Sequence, residues 1–277
     1  MNAAMSNQKL EPHYVEKPWG RTDLPAIFPA TDGARIGEIW FEEADGRDLP
    51  LLVKYIFTSE RLSIQVHPND AQARAKGLRR GKEEIWYILD CEPGATLGIG
   101  LKENMTPQQF RAAAEDGTLE SWIDWKPVKP GDCYFIPAGT VHAIGAGITL
   151  AEIQQNVDVT YRLYDYGRPR ELHLDDGVAV SQFAPYGRRP VEAPIGAAQQ
   201  LISAADAPFS VDLVWWERDE HVALPRDTLL WFTPLSGTGV VNGIAWTKGD
   251  CLLLEGDCKF TVTSGPAAAL LAIPRAT

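Results

Sequence analysis

Among its 277 residues the chain has only four cysteines, Cys91, Cys133, Cys251 and Cys258, and no two of them form a CxxC pair. A zinc site built on thiolates is therefore not expected, and the four read as reduced, mostly buried thiols. No window approaches the roughly 18 consecutive apolar residues of a membrane span, and the opening "MNAAMSNQKLEP" has no apolar run of the secretory kind. These absences lead to the expectation of a cytoplasmic protein with no membrane partner. Clustered basic residues are missing as well: 26 Lys and Arg lie scattered against 37 Asp and Glu, for a net charge of -11. Neutralising a phosphate backbone needs basic surface, so no nucleic-acid partner is expected. A small anionic substrate stays compatible, because a few cations in one pocket outweigh a distant negative field. "GATLGIGLKEN" has two close glycines but neither the third nor a following βαβ pattern, which excludes a dinucleotide site.

What is present is 45% apolar residues, enough for one large or two medium cores. Short runs rich in β-branched and aromatic residues recur: "ARIGEIWFEE", "LLVKYIFTS", "LSIQVHP", "EEIWYILD", "CYFIPAG", "ITLAEIQQ", then "SVDLVWWE", "TLLWFTPL", "GVVNGIAW" and "CLLLEGD". Bounded by Gly, Pro, Asp and Asn, they predict a mainly β chain of antiparallel barrels or sandwiches. One helix is predicted in "MTPQQFRAAAEDGTLESW", with Thr106 as N-cap, Pro107 in the first helical position and Gly117 as its stop, and a shorter one in "NDAQARAKGL". "GDCYFIPAGTVHAIG" and "GDCLLLEGDCKFTVTSG" echo one another as turn, strand, turn and strand. Eleven residues after the first glycine stands His142; at the same place in the second copy stands Phe260. The echo suggests two related β-units, of which only the first keeps a polar site. The boundary falls in the loop-like "APYGRRPVEAPIGAAQQ", giving a domain over 1–185 and a second over 195–277.

The polar site starts from "LSIQVHPND". Residues two apart on a strand share a face, so Gln65 and His67 point together while Leu62, Ile64 and Val66 point away. A lone histidine in a β protein is more often a hydrogen-bonded structural residue, so other members are required. In "RGKEEIWYILD" one face carries Glu84, Trp86 and Ile88, and a carboxylate on so apolar a strand is costly to bury without a cation. A solvated strand edge is the bland alternative for Glu83 and Glu84. In "GDCYFIPAGTVHAIG", Pro137 and Gly139 shape a turn from which His142 starts a strand pointing inward.

The spacing of Gly131, Pro137, Gly139 and His142 resembles the second cupin motif. Together with "QVHPND", "GKEEIWYIL" and "PAGTVHAI" it makes the chain similar to type I mannose-6-phosphate isomerases, from about "EKPWGRTDL" to "LHLDDGVAV". The resemblance implies cupin (jelly-roll) barrels: a metal-binding N-terminal cupin with a small helical element, and a degenerate C-terminal cupin-like unit. It implies Gln65, His67, Glu84 and His142 as ligands of one Zn2+ per chain, a donor set that suits zinc or another first-row divalent ion and leaves room for substrate. The implied activity interconverts mannose 6-phosphate and fructose 6-phosphate through a cis-enediol or enediolate. It requires an acid/base pair and something that stabilises negative charge on oxygen.

For those roles the family places a functional lysine at Lys82, an arginine at Arg162 and an acidic residue at Asp158, with Trp19 and Glu38 in the sugar-binding pocket. Proximity to an ion would lower the Lys82 pKa; its bland alternative is a surface lysine. The loop "QNVDVTYRLYDYGRPREL" mixes tyrosines with arginines and could hold a phosphate, and Arg162 could equally stabilise the enediolate. Glu38 could instead hold a ligand histidine from behind. Ala146 stands where the second cupin motif often has asparagine, and the chain is compact, which keeps another sugar phosphate open as substrate. Other cupins are metal-dependent dioxygenases or sugar-binding regulatory modules, and Gln65 and Lys82 are the residues that argue against both. In the C-terminal unit, "VWWE" reads as a core strand, with a homodimer contact as the alternative.

Overall fold

The strand-forming runs assemble, in a computed structural model that describes residues 7–29, 32–44, 46–224 and 229–275, into four antiparallel sheets stacked as layers. The predicted run "TLLWFTPL" begins at Thr228, and the two domain ranges begin and end on 1–6 and 276–277; those residues lie outside the described ones. A seven-stranded sheet runs, in spatial order, Val191–Glu192, Asp132–Ile136, Glu84–Cys91, Ile148–Gln155, Leu51–Phe57, Ile36–Glu42 and Glu11–Arg21. Facing it, a five-stranded sheet runs Tyr161–Tyr164, Ile64–Val66, His142–Ile144, Thr96–Leu101 and Ile123–Pro127, and the two close the first barrel. The second barrel pairs a six-stranded sheet built on Leu230–Pro234, Ala267–Pro274 and Phe209–Trp216 with a four-stranded one. The chain is mainly β, as its short apolar runs predict.

Alternation explains why strands such as Glu84–Cys91 are apolar on both faces. Trp86 and Ile88 turn into the first barrel with Trp19, Ile56 and Leu150. Ile85 and Tyr87 turn outward into a core shared with Phe209, Val211, Trp231 and Leu270 of the six-stranded sheet. Phe135 meets Phe209 edge-on across that junction, ring centroids 6.4 Å apart. The N-terminal strand Gln8–Lys9 joins the six-stranded sheet by pairing with Leu253 and Leu252.

Four helices are described, α1 (Asp70–Ala75), α2 (Pro107–Asp116), α3 (Leu119–Trp122) and α4 (Leu174–Val180), and the last three pack on the outer side of the five-stranded sheet. The first two start where the sequence places them. Asn69 with Gln72 and Thr106 with Gln109 form capping boxes, and Gly117 ends α2 in the left-handed conformation at φ 81°. Phe110, Ala113 and Ala114 of α2 pack on Ile64 and Val66, the apolar face of the strand whose other face bears Gln65.

The echo between the halves is structural. Gly131 and Gly249 both take positive φ, 89° and 94°, ahead of strands Asp132–Ile136 and Leu252–Leu254. Where His142 lies in the first barrel, Phe260 lies in the second, buried against Trp216 and Phe232. Aromatic rings fill the second barrel, which fits a degenerate cupin. The tryptophans of "VWWE" divide between the two cores, Trp216 facing into that barrel and Trp215 toward the shared layer.

Candidate active site and metal centre

Three neighbouring strands and one across the barrel set the site. His142 is directly opposite Gln65, and Gln65 is directly opposite Arg162 on its other side, so three adjacent strands aim these side chains inward in one row. From the facing sheet comes Glu84. His67 Nε2 is 3.7 Å from Glu84 Oε2, and His142 Nε2 is 3.5 Å from Glu84 Oε1. Both histidines and Glu84 are about 1% exposed. Their ligand atoms lie within 4.8 Å of one another, the one such cluster of His, Cys, Asp or Glu among the described residues.

Buried polar atoms normally find partners, yet both ring nitrogens of His67 and Oε1 of Glu84 lack a hydrogen bond, and Oε2 meets only Lys82 Nζ beyond the histidines. Burial pushes His67 well below the usual histidine range and pulls His142 down to about 4. Both rings are thus neutral at pH 7, as metal ligation requires. His142 Nδ1–H donates to the Thr140 carbonyl at 2.8 Å, which leaves the Nε2 lone pair of His142 turned toward Glu84. Orphaned donors of N and O type spaced in this way fit a first-row divalent ion. The Gln65 amide lies 3.3 Å from His142 Nε2 and 3.2 Å from Ser63 Oγ. A half-turn would bring its carbonyl oxygen to the cluster while the serine hydroxyl, able to donate or accept, keeps its bond.

Beside the cluster opens a cavity of about 340 Å³, lined by Gln65, Lys82, Trp19, Glu38, Asp158 and Arg162 among others, within the roughly 300–1,000 Å³ of small-molecule sites. The sequence-derived residues therefore converge. Lys82 Nζ is 3.1 Å from Glu84 Oε2. Burial alone would lower the Lys82 pKa, but Glu84, Glu152 and Glu38 outweigh it and raise it, so the protein's own groups hold this lysine protonated. That is opposite to the lowering expected from an ion alone. Trp19 is 2% exposed and forms the apolar wall. Glu38 touches no ligand histidine: its partners are Lys17 at 3.6 Å, Lys54 at 3.8 Å and the Trp40 indole N–H. Asp158 stands exposed at the rim. Arg162 donates from Nη1 to the Glu171 carbonyl at 2.8 Å, while its buried Nε has no partner.

Sequence reasoning missed Lys17, Lys54 and Glu152, all in the cavity wall, where Arg170 of the arginine-bearing loop also stands. Trp40, Lys54, Glu152 and Trp86 form a row straight across four strands. Lys54 Nζ sits 4.3 Å over the Trp40 ring and 3.4 Å from Glu152 Oε1, and the Trp86 indole N–H donates to Glu152 Oε2 at 2.9 Å. Burial raises the Glu152 pKa, the Glu84 charge adds to it, and Oε1 accepts no hydrogen bond. A signal existed: single charges inside the apolar runs "LLVKYIF" and "ITLAEIQQ", which burial makes costly unless they meet.

A jelly-roll barrel with this inward cluster defines a metal-binding cupin. No family model matches the chain. It is 31% identical to a Bacillus subtilis protein named probable mannose-6-phosphate isomerase GmuF, over 92% of this chain and 98% of that one. To the mannose-6-phosphate isomerase of Streptococcus mutans it is 32% identical, over 76% of this chain and 69% of the other. Its structure superposes on the mannose 6-phosphate isomerase of Bacillus subtilis with a TM-score of 0.78 and 25% identity, covering 97% and 99% of the two chains. A zinc-bound mannose 6-phosphate isomerase shares the fold, with a TM-score of 0.73 at 14% identity over 98% of this chain and all of the other. The chain belongs to the mannose-6-phosphate isomerase family.

Proposed function

We propose that this chain interconverts mannose 6-phosphate and fructose 6-phosphate in the cavity beside His67, Glu84 and His142, with Gln65 as the fourth ligand of one zinc ion. The carrying observation is the buried cluster of two neutral histidines and one carboxylate beside a cavity lined by both lysines and carboxylates. When bound, zinc supplies a Lewis acid that draws negative charge from adjacent sugar oxygens.

The chain's own groups handle the proton and the charge. Isomerisation removes the proton on C2 of the open-chain aldose, passes through the cis-enediol or enediolate, and returns a proton to C1. Glu152 is suited to accept the carbon-bound proton at Oε1, since burial raises its pKa and that oxygen, 3.4 Å from Lys54 Nζ, accepts no hydrogen bond. Lys82, held protonated by three carboxylates, donates from Nζ to O1 as charge develops there and recovers a proton from the O2 hydroxyl as the ketone forms. Arg162 offers its unpartnered Nε to negative charge on the substrate. Trp19 gives a flat apolar wall to the C–H side of the sugar chain, and Glu38 fixes Lys17 and Lys54 around it. Asp158 closes the rim. The catalytic cupin spans 1–185, and the unit 195–277 backs it through the shared core. The reaction belongs in the cytoplasm, in keeping with reduced thiols at Cys91, Cys133 and Cys251.

The test is metal analysis of the purified protein joined to an assay of fructose 6-phosphate formation before and after chelation. We expect about one zinc per chain, loss of turnover on complete removal, and recovery when zinc is restored. Full activity in metal-free protein would refute the mechanism.

A further inference from the structure

The loop between Arg162 and α4 carries two arginines that share one carboxylate. Asp165, 2% exposed, accepts from Arg170 Nε at 2.6 Å on Oδ2 and from Arg170 Nη2 at 2.8 Å on Oδ1. The same Oδ1 accepts from Arg168 Nη2 at 2.8 Å and Nε at 3.1 Å. Only one of the two arginines reaches the cavity: Arg170 is in its wall, beside Arg162. Arg168 instead ties the loop to the barrel, donating to the Arg61 carbonyl at 2.7 Å. Between them Tyr166 takes a φ of 54°, costly for a bulky residue, with Arg61 and Arg168 over its ring at 5.8 Å and 5.5 Å. So much fixing of one loop holds something in place.

A guanidinium has two usable edges. Asp165 occupies the Nε/Nη2 edge of Arg170 in a fork-to-fork pair, and the Nη1 side has no partner among the described residues. Arg162 beside it pairs with no carboxylate and is fixed by the Glu171 carbonyl alone. The inner carboxylates, by contrast, have their own lysines: Glu38 with Lys17 and Lys54, Glu152 with Lys54, Glu84 with Lys82. One end of the cavity thus presents two adjacent cations with donors to spare, which is the chemistry of a tetrahedral dianion rather than of a sugar hydroxyl.

We propose that Asp165 is a positioning residue that presents the free edge of Arg170 to the phosphate group of the substrate. This rests on the isomerase reading, because it takes a sugar phosphate as the ligand. The phosphate end then lies at Arg170 and Arg162, and the reacting carbons lie toward Lys82 and Glu84. Binding through the phosphate is made equally in ground and transition states, so its loss raises KM and spares kcat.

The experiment compares zinc-loaded wild type, Asp165→Asn and Arg170→Gln for KM and kcat with mannose 6-phosphate, inhibition by inorganic phosphate, zinc content and melting temperature. We expect KM and the phosphate inhibition constant to rise together by about tenfold or more in both variants, the loss of a charge-assisted contact. With the contact gone kcat should stay within about threefold, and zinc content should stay unchanged. If Asp165→Asn does not fold, Arg170→Gln decides alone. A folded Arg170→Gln with KM and phosphate inhibition like wild type overturns the proposal. So does an Asp165→Asn that only melts at a lower temperature, for then Asp165 merely braces the loop. A wild type that binds zinc but does not isomerise mannose 6-phosphate would instead overturn the activity on which the proposal rests.

Discussion

Lys82 stands two residues before Glu84, just ahead of the strand that Glu84 begins, and the fold turns that spacing into a buried contact of 3.1 Å. With Glu152 and Glu38 also near, the lysine's pKa is raised although burial opposes it. It is therefore a proton donor at neutral pH, with no competing role as a ligand. Lys82→Met keeps an unbranched side chain and removes the proton. Turnover should fall by about 10²- to 10⁴-fold, the usual contribution of general acid–base catalysis, while bound zinc measured by metal analysis stays at the wild-type level. Undiminished turnover with zinc retained would remove Lys82 from the reaction.

Single turns carry as much of the site as strands do. Gly139, at φ 82°, lets the "PAGTVH" turn fold back so that its N–H donates to the His67 carbonyl at 2.9 Å and its carbonyl accepts from Gln182 N at 2.7 Å. A Cβ there would stand 2.9 Å from the Val180 carbonyl. Gly139→Ala combines a left-handed backbone with that clash and should cost about 1–3 kcal/mol, read as a lower denaturation midpoint, with weaker zinc retention because His67 and His142 flank the turn. This element was legible because Pro, Gly and His stand at fixed offsets, and the ligand strands were legible because alternation alone pairs Gln65 with His67. Other elements were hidden for physical reasons. Glu11–Arg21 contains Pro12 and Pro18, which argue against a strand, and it is tolerated because it lies at the edge of its sheet. "GVVNGIAW" read as one strand is a hairpin that turns at Asn242 and Gly243, both with positive φ. Helix α4 has no side-chain cap and carries Gly177 in its body, where Leu163 leaves no room for a Cβ. The lone charges Lys54 and Glu152 stand out in their apolar runs, but their pairing was hidden because Trp40, Lys54, Glu152 and Trp86 become neighbours only through register across four strands.

At the scale of the molecule, the second barrel holds no ligand cluster among the described residues, but it forms half of the core behind the catalytic sheet. Four strands of that sheet bear site residues on their inner face and carry their outer residues into this core: Ile39 and Phe41 behind Glu38, Val53 and Tyr55 beside Lys54, Ile85 behind Glu84, Ala151 and Ile153 beside Glu152. The spacing of the inner charges therefore depends on packing supplied from residues beyond 200. Phe209, fully buried and edge-on to Phe135, is the test position. Phe209→Ala should destabilise the protein by about 3–5 kcal/mol, the range for truncating a buried aromatic ring. Because the two barrels share the core, the loss should fall on a single cooperative transition, with isomerase activity disappearing at the same shifted temperature. Calorimetry alongside activity measured through the same melt separates the alternatives: two resolved transitions, only one of them moved by the substitution and activity following the other, would show that the catalytic barrel stands without its neighbour.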